Sequence, residues 1–140
     1  MSSWRIIYAA QFRNPQDLAP IIDALQQAGL PEWPFGFTGD GLYQLKGQEI
    51  ASLVLGHTLQ GWIEPGQQQA FMQIGKDGQA AFRSTRMFTE TVYVDRDLLC
   101  EQSENMFGRP DCGPVFKRRD AGSEGYSYVN SGKVFRFVVN

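Results

Sequence analysis

Two cysteines and a single histidine are the side chains best suited to nucleophilic or metal chemistry in this 140-residue chain. Cys100 and Cys112 fall one on a predicted strand and one at the entry to the next. If those strands are neighbours the sulfurs could meet across the ladder. A disulfide closing so short a loop would add about 2–3 kcal/mol, and it requires an oxidising compartment. The opening residues, Met1 to Ala10, have too short an apolar core for a secretory signal, so the sequence favours two buried thiols. Two cysteines and one histidine fall short of four ligands unless a carboxylate joins them, so neither a metal nor another cofactor is expected. His57 follows the helix-stopping Gly56, where its ring could cap the last helical carbonyls. Acid–base work would need a nucleophile or carboxylate beside it, and none stands at a diagnostic spacing. Asp95, Asp97 and Glu101 could hold a cation, but Asp95-Arg96-Asp97 reads more simply as a turn whose short side chains bond their own backbone. Lys117-Arg118-Arg119 reads as a solvated strand end. Neither a Gly-rich phosphate loop nor a GxSxG or HExxH motif occurs.

Aromatic residues make up 13% of the chain, and where they fall decides what the molecule can bind. Trp62, Phe71, Phe82, Phe88, Phe116, Phe135 and Phe137 lie on alternating segments and are expected to fill the inside of a curled sheet. Trp33, Phe35 and Phe37 instead lie in a loop punctuated by Pro31, Pro34, Gly36, Gly39 and Gly41. The plainer reading makes these rings a plug over one open end of a barrel. The sharper one makes Trp33, Phe35 and Phe37, with His57 and Trp62, the lining of a small-ligand pocket.

The elements that would hold these residues form one domain spanning residues 1–140. Trp4 to Ala9 reads as a short buried strand. Leu18, Ile21, Ile22, Leu25 and Ala28 recur on one helical face, with Asp17 as cap so that Pro20 falls in the first turn, and Gly29 and Pro31 end the helix. Residues 30–45 should be a loop packed by its own side chains, and Gln48 to Leu55 a second short helix with Ile50, Leu53 and Val54 inward. From His57 onward the apolar period becomes two. Asp77-Gly78, between Ala70–Ile74 and Gln79–Arg83, is the strongest hairpin signal. About seven short strands follow one another over residues 57–140 without room for helical crossovers, so their sheet must be antiparallel. The expected fold is therefore α+β: an N-terminal strand and two short helices, then a strongly curved antiparallel meander or small β-barrel.

The formal net charge of −2 gives no electrostatic footprint for nucleic acid. The apolar run Ile50 to Leu55, interrupted by Ser52, is far short of a bilayer span. No nucleic-acid or membrane partner is expected.

Three ordered stretches carry a resemblance. They are Phe12-Arg13-Asn14-Pro15 with Ala24 to Gly36; Gly47-Gln48-Glu49-Ile50 with Leu55-Gly56-His57-Thr58; and Asp97 to Gln102 with Gly108-Arg109, Cys112 to Phe116 and Tyr126 to Asn130. Together they resemble the C-terminal accessory region of bacterial class III adenylate/guanylate cyclase-like proteins. Pro20 and His57 depart from that pattern. The resemblance implies a cytoplasmic, non-catalytic regulatory module that works through a small ligand or the neighbouring domains of a longer protein. It carries over no catalytic residue. The alternatives are a structural or envelope domain stapled by Cys100 and Cys112, or a small enzyme using His57.

Overall fold

The structure, a computed structural model, describes residues 23–25, 27–29, 31, 33–103, 109–118 and 125–140. The expected strand at Trp4–Ala9, the Asp17 cap and Pro20 lie outside the described residues. Residues 23–25 are helical, Ala28 N–H bonds the Ala24 carbonyl, and Gly29 takes a positive φ of 88°, as a helix-ending glycine should.

Ten strands form one antiparallel sheet curled into a half-barrel. They are β1 (Tyr43–Gln44), β2 (Thr58–Glu64), β3 (Gln68–Ile74), β4 (Gln79–Arg83), β5 (Met87–Asp95), β6 (Leu98–Gln102), β7 (Asp111–Gly113), β8 (Val115–Arg118), β9 (Gly125–Val129) and β10 (Val134–Val139). The order across the sheet is β1-β8-β9-β10-β2-β3-β4-β5-β6-β7. The α+β expectation holds, but the strand count exceeds the expected seven. β1 falls within the residues read as loop, and β7 lies between glycine and proline positions that obscure a strand of three residues.

The sheet curls because β7 and β8 are two halves of one extended segment. β7 pairs with β6 at one end of the order, while β8, a single residue later, pairs with β9 near the other. Pro114 sits at the join, and its carbonyl accepts the Val129 N–H. The approach there is so close that a Cβ at Gly113 would collide with the Val129 carbonyl. Closing the curl in this way shields edges that an open sheet would leave exposed. The Asp77-Gly78 turn forms as expected: Gly78 N–H bonds the Gly75 carbonyl, Asp77 Oδ1 accepts the Gln79 N–H, and Gly78 has φ of 87°.

Inside the curl lies one apolar cluster including Leu59, Met72, Ile74, Phe82, Val92, Leu99, Val115, Phe135 and Phe137. The single named helix, α1 (Gly47–Val54), closes one side of it with Ile50 and Val54 fully buried. Its N-terminal N–H groups are satisfied from two directions: Asp97 Oδ1 accepts the Gly47 N–H at 2.8 Å, and Glu49 Oε1 accepts the Lys46 N–H at 3.0 Å. Asp97 thus holds a helix end, a role beyond the local turn its sequence suggested.

Three of the rings assigned to the interior are instead on the outer face. Phe116, Ser127, Arg136, Trp62 and Gln69 face one another in a single cross-strand row, so their side chains share a side of the sheet. Phe71 is on that side too, opposite Gln60 and Arg83, with the Arg83 guanidinium 5.2 Å from its ring. Alternation fixes which residues of one strand share a face, but the phase between strands comes from register. Here Ala70, Met72 and Ile74 take the inner positions of β3.

Candidate functional site

The five residues expected to line one pocket are divided among separate places. Trp33 and Phe37 pack on Phe116, at ring-centroid distances of 5.9 and 5.4 Å, and with Leu42 they cover Phe116, Val129 and Val134. They cap the outer face rather than an open barrel end. A shallow cleft of about 450 Å³ beside them includes Asp40 and Gln44. Phe35 stands apart, about half exposed, with φ of 56°. His57 is exposed on another cleft, and its Nδ1 lies 3.0 Å from the Leu55 carbonyl oxygen at the end of α1. No carboxylate is hydrogen-bonded to it among the described residues. Trp62 borders a third space, described below.

Cys100 and Cys112 are joined in a disulfide, where the sequence favoured free thiols. Register explains the pairing: the two residues are direct partners on β6 and β7, with Cα atoms 4.0 Å apart, and both are buried. The acidic triplet does not converge. Asp95 and Asp97 flank the exposed turn, while Glu101 points into the core, and no group suited to a metal ion occurs among the described residues.

Two constellations that the sequence reading did not single out contain the molecule's polar chemistry. The first is inside the sheet. The Glu101 carboxylate is 2% exposed and lies 2.8 Å from Lys133 Nζ, and it accepts a 2.8 Å hydrogen bond from Asn130 Nδ2. The Asn130 Oδ1 accepts the Gly132 and Lys133 N–H groups, which folds the β9–β10 turn and delivers Lys133 inward. Tyr128 OH accepts from Asn130 Nδ2 and donates to the Asp111 carbonyl, while Ser131 Oγ donates to the Asp111 carboxylate. Lys133 Nζ also lies 4.9 Å from the Phe82 ring centre, a cation–π contact. Burial pushes the Lys133 ammonium down, yet the carboxylates of Glu101, Glu90 and Asp111 outweigh it and leave its pKa raised.

Glu90 is the odd member of this group. It is 4% exposed, and neither of its carboxyl oxygens has a hydrogen-bond partner among the described residues. Burial, reinforced by the negative charge of Glu101 and only partly offset by Lys133, pushes its pKa up to about 8. It is therefore largely protonated at neutral pH. A signal for it exists in the sequence: Phe88, Glu90, Val92 and Val94 share one phase of β5, so a carboxyl stands where the pattern calls for an apolar side chain.

The second constellation is a groove of about 530 Å³ on the outer face of β2 and β10. Trp62, 56% exposed, stands in its wall directly opposite Arg136, and Arg118, Gln60, Gln67, Gln69 and Glu64 add to its polar lining. Arg118 belongs to the basic run read as a solvated strand end. It is half-buried, and its Nε has no hydrogen-bond partner among the described residues.

Against family models, curated proteins and solved structures, the chain has no match. Among the described residues, no helix is long and apolar enough to cross a membrane.

Proposed function

We propose that this chain is a non-catalytic regulatory module that acts through the outer surface of its curled sheet, by binding a small ligand or contacting a neighbouring domain. The observation that carries the reading is the contrast in how polar groups are used. Inside, Glu101, Lys133 and Asn130 bond one another within a filled core, whereas outside, Trp62, Arg118 and Arg136 border an open groove. Such a module shifts its neighbour only by binding one of that neighbour's states more tightly than another. The signalling context, a class III cyclase-like protein in the cytoplasm, rests on the sequence resemblance. Nucleic acid and membrane are not among the partners of this reading.

Thermal-shift screening against nucleotides, lipids and metabolites tests it. A ligand present at a hundred times its Kd adds about 2.7 kcal/mol of stability, which such a screen detects readily. The expected companion finding is a cyclase catalytic domain encoded in frame with this chain or beside it. A screen without a stabilising compound, together with coding surroundings that hold no such domain, would overturn the proposal.

The Cys100–Cys112 bridge favours a second reading, a structural or envelope domain stapled by that bond. Disulfides of this kind persist in oxidising compartments. Mass spectrometry of the chain from native extract separates the two: a mass lower by two hydrogens than the reduced form supports the stapled domain, and the reduced mass supports the cytoplasmic module.

A further inference from the structure

We propose that the groove between Trp62, Arg118 and Arg136 is a binding site for a planar aromatic anion, its ring on the Trp62 indole and its carboxylate or phosphate held by the two guanidinium groups. The inference rests on the reading of the chain as a binding module and specifies what the module binds.

The sheet itself builds the site. Arg136 and Trp62 are register partners on β10 and β2, so their side chains leave the same face of the sheet side by side. Arg118 reaches that face from β8, two strands beyond β10. Its guanidinium lies over its register partner Gly125, so close that a Cβ there would collide with it. Glycine at 125 thus leaves the space in which an arginine side chain lies across the strand.

Several groups in this region lack the partners that folded proteins normally supply. Neither the Arg118 nor the Arg136 side chain makes a hydrogen bond or ion pair among the described residues, and Arg118 Nε is buried without an acceptor there. Ser127, wholly buried and next to Arg136 in the same cross-strand row, has an Oγ without a partner among the described residues. Buried donors are ordinarily satisfied, because leaving one unpaired costs about 1–3 kcal/mol. Among the described lining residues two guanidinium groups stand against a single carboxylate, Glu64, in a chain whose net charge is −2. Arginine is suited to planar, bidentate capture of carboxylate or phosphate. An exposed indole beside it supplies the face on which a flat ring stacks.

The full chain, labelled with ¹⁵N, carries three tryptophans and so three indole N–H signals, and Trp62→Phe assigns the relevant one. The probes are 2-naphthoate and 2-naphthyl phosphate, compared with neutral 2-naphthamide and with ringless inorganic phosphate. We expect at least one of the naphthyl anions to move the Trp62 signal, and the tighter of the two identifies the anionic group preferred. The amide and inorganic phosphate should bind at least about tenfold more weakly. Arg136→Gln, an exposed position, should weaken the better probe by about tenfold or more, since a hydrogen bond to a charged group is lost. Arg83→Gln, outside the groove, should leave its affinity unchanged. A Trp62 signal that neither anion moves, naphthamide binding as tightly as naphthoate, or wild-type affinity in folded Arg136→Gln would each overturn the site. If a screened compound stabilises the fold while the Trp62 signal stays still, this site falls and the module reading stands.

Discussion

The inner polar cluster and the outer groove both place cationic side chains against aromatic rings, yet they differ in what completes them. Lys133 lies beside Glu101 and Phe82, with its charge matched by the Glu101 carboxylate. Arg136 and Arg118 stand beside Trp62 with no carboxylate bonded to either among the described residues. A buried charge has to be matched within the fold, because water cannot solvate it. A charge on a groove wall is free to wait for a ligand. On the proposal made above, the inner cluster serves stability and the outer groove recognition, so substitutions in the two places should fall on different measurements.

The largest effect should come from breaking the inner pair. Lys133→Met removes the cation while leaving Glu101 buried, with Glu90 nearby. Loss of one partner of a buried pair costs about 3–5 kcal/mol, so the urea midpoint at pH 7 should fall sharply. A loss below about 1 kcal/mol would mean that the cluster is open to water.

Next in size is the bond between β6 and β7. Cys100→Ser with Cys112→Ser should cost about 2–3 kcal/mol, as expected for a short closed loop. β7 has only three residues and connects through Pro114 to β8, so its hold on β6 is part of what keeps the curl closed. Hydrogen exchange should therefore quicken in β6 and β7 before it quickens in β2 and β3. Uniform quickening would show that the bridge is not local in its action.

Glu90 gives a smaller effect with a diagnostic pH dependence. Its carboxyl has an ordinary pKa of 4.5 and a folded value of about 8. Below pH 4.5 the folded and unfolded chains are both protonated, and this contribution to stability is fully present. As the pH rises from there the unfolded chain releases a proton that the folded chain keeps, so stability declines until the folded carboxyl ionises near pH 8. Glu90→Gln should flatten this decline and make the protein more stable than wild type at pH 9, by roughly 1–3 kcal/mol, since burying the new amide keeps part of the desolvation cost. Parallel wild-type and variant curves between pH 5 and 9 would remove Glu90 from the account.

Most of the strand pattern was legible in the sequence because it depends on local alternation and turn chemistry. β4, β8 and β10 begin and end where the apolar alternation does, and the Asp77-Gly78 turn sits between its two runs. What alternation could not supply was the phase between strands. Phe71 and Phe116 look as apolar as Phe82, yet register puts them on the opposite face. Both constellations depend on such long-range placement. Glu101 and Lys133 are 32 residues apart, and Trp62 meets Arg136 only because β2 and β10 pair. The disulfide was legible as geometry but not as chemistry: the spacing allowed it, and only the direct pairing of residues 100 and 112 selects it. His57 was read correctly as a residue at the end of a helix, because the preceding Gly56 is a local signal.

The smallest expected change in stability is at the groove, and that smallness sharpens the contrast. Trp62→Leu alters an exposed side chain, and Arg136→Gln removes a charge with no bonded partner among the described residues. Surface substitutions of this kind usually stay within about 0.5 kcal/mol, so the urea midpoints of both variants should match wild type. Removing Arg136 also relieves some repulsion from nearby positive charge, which makes a slight gain as acceptable as no change. A loss above 1 kcal/mol in either variant would place these side chains among the supports of the fold. The difference drawn between a matched interior and an unmatched surface would then fail at the surface, however well Lys133 and Glu101 behaved.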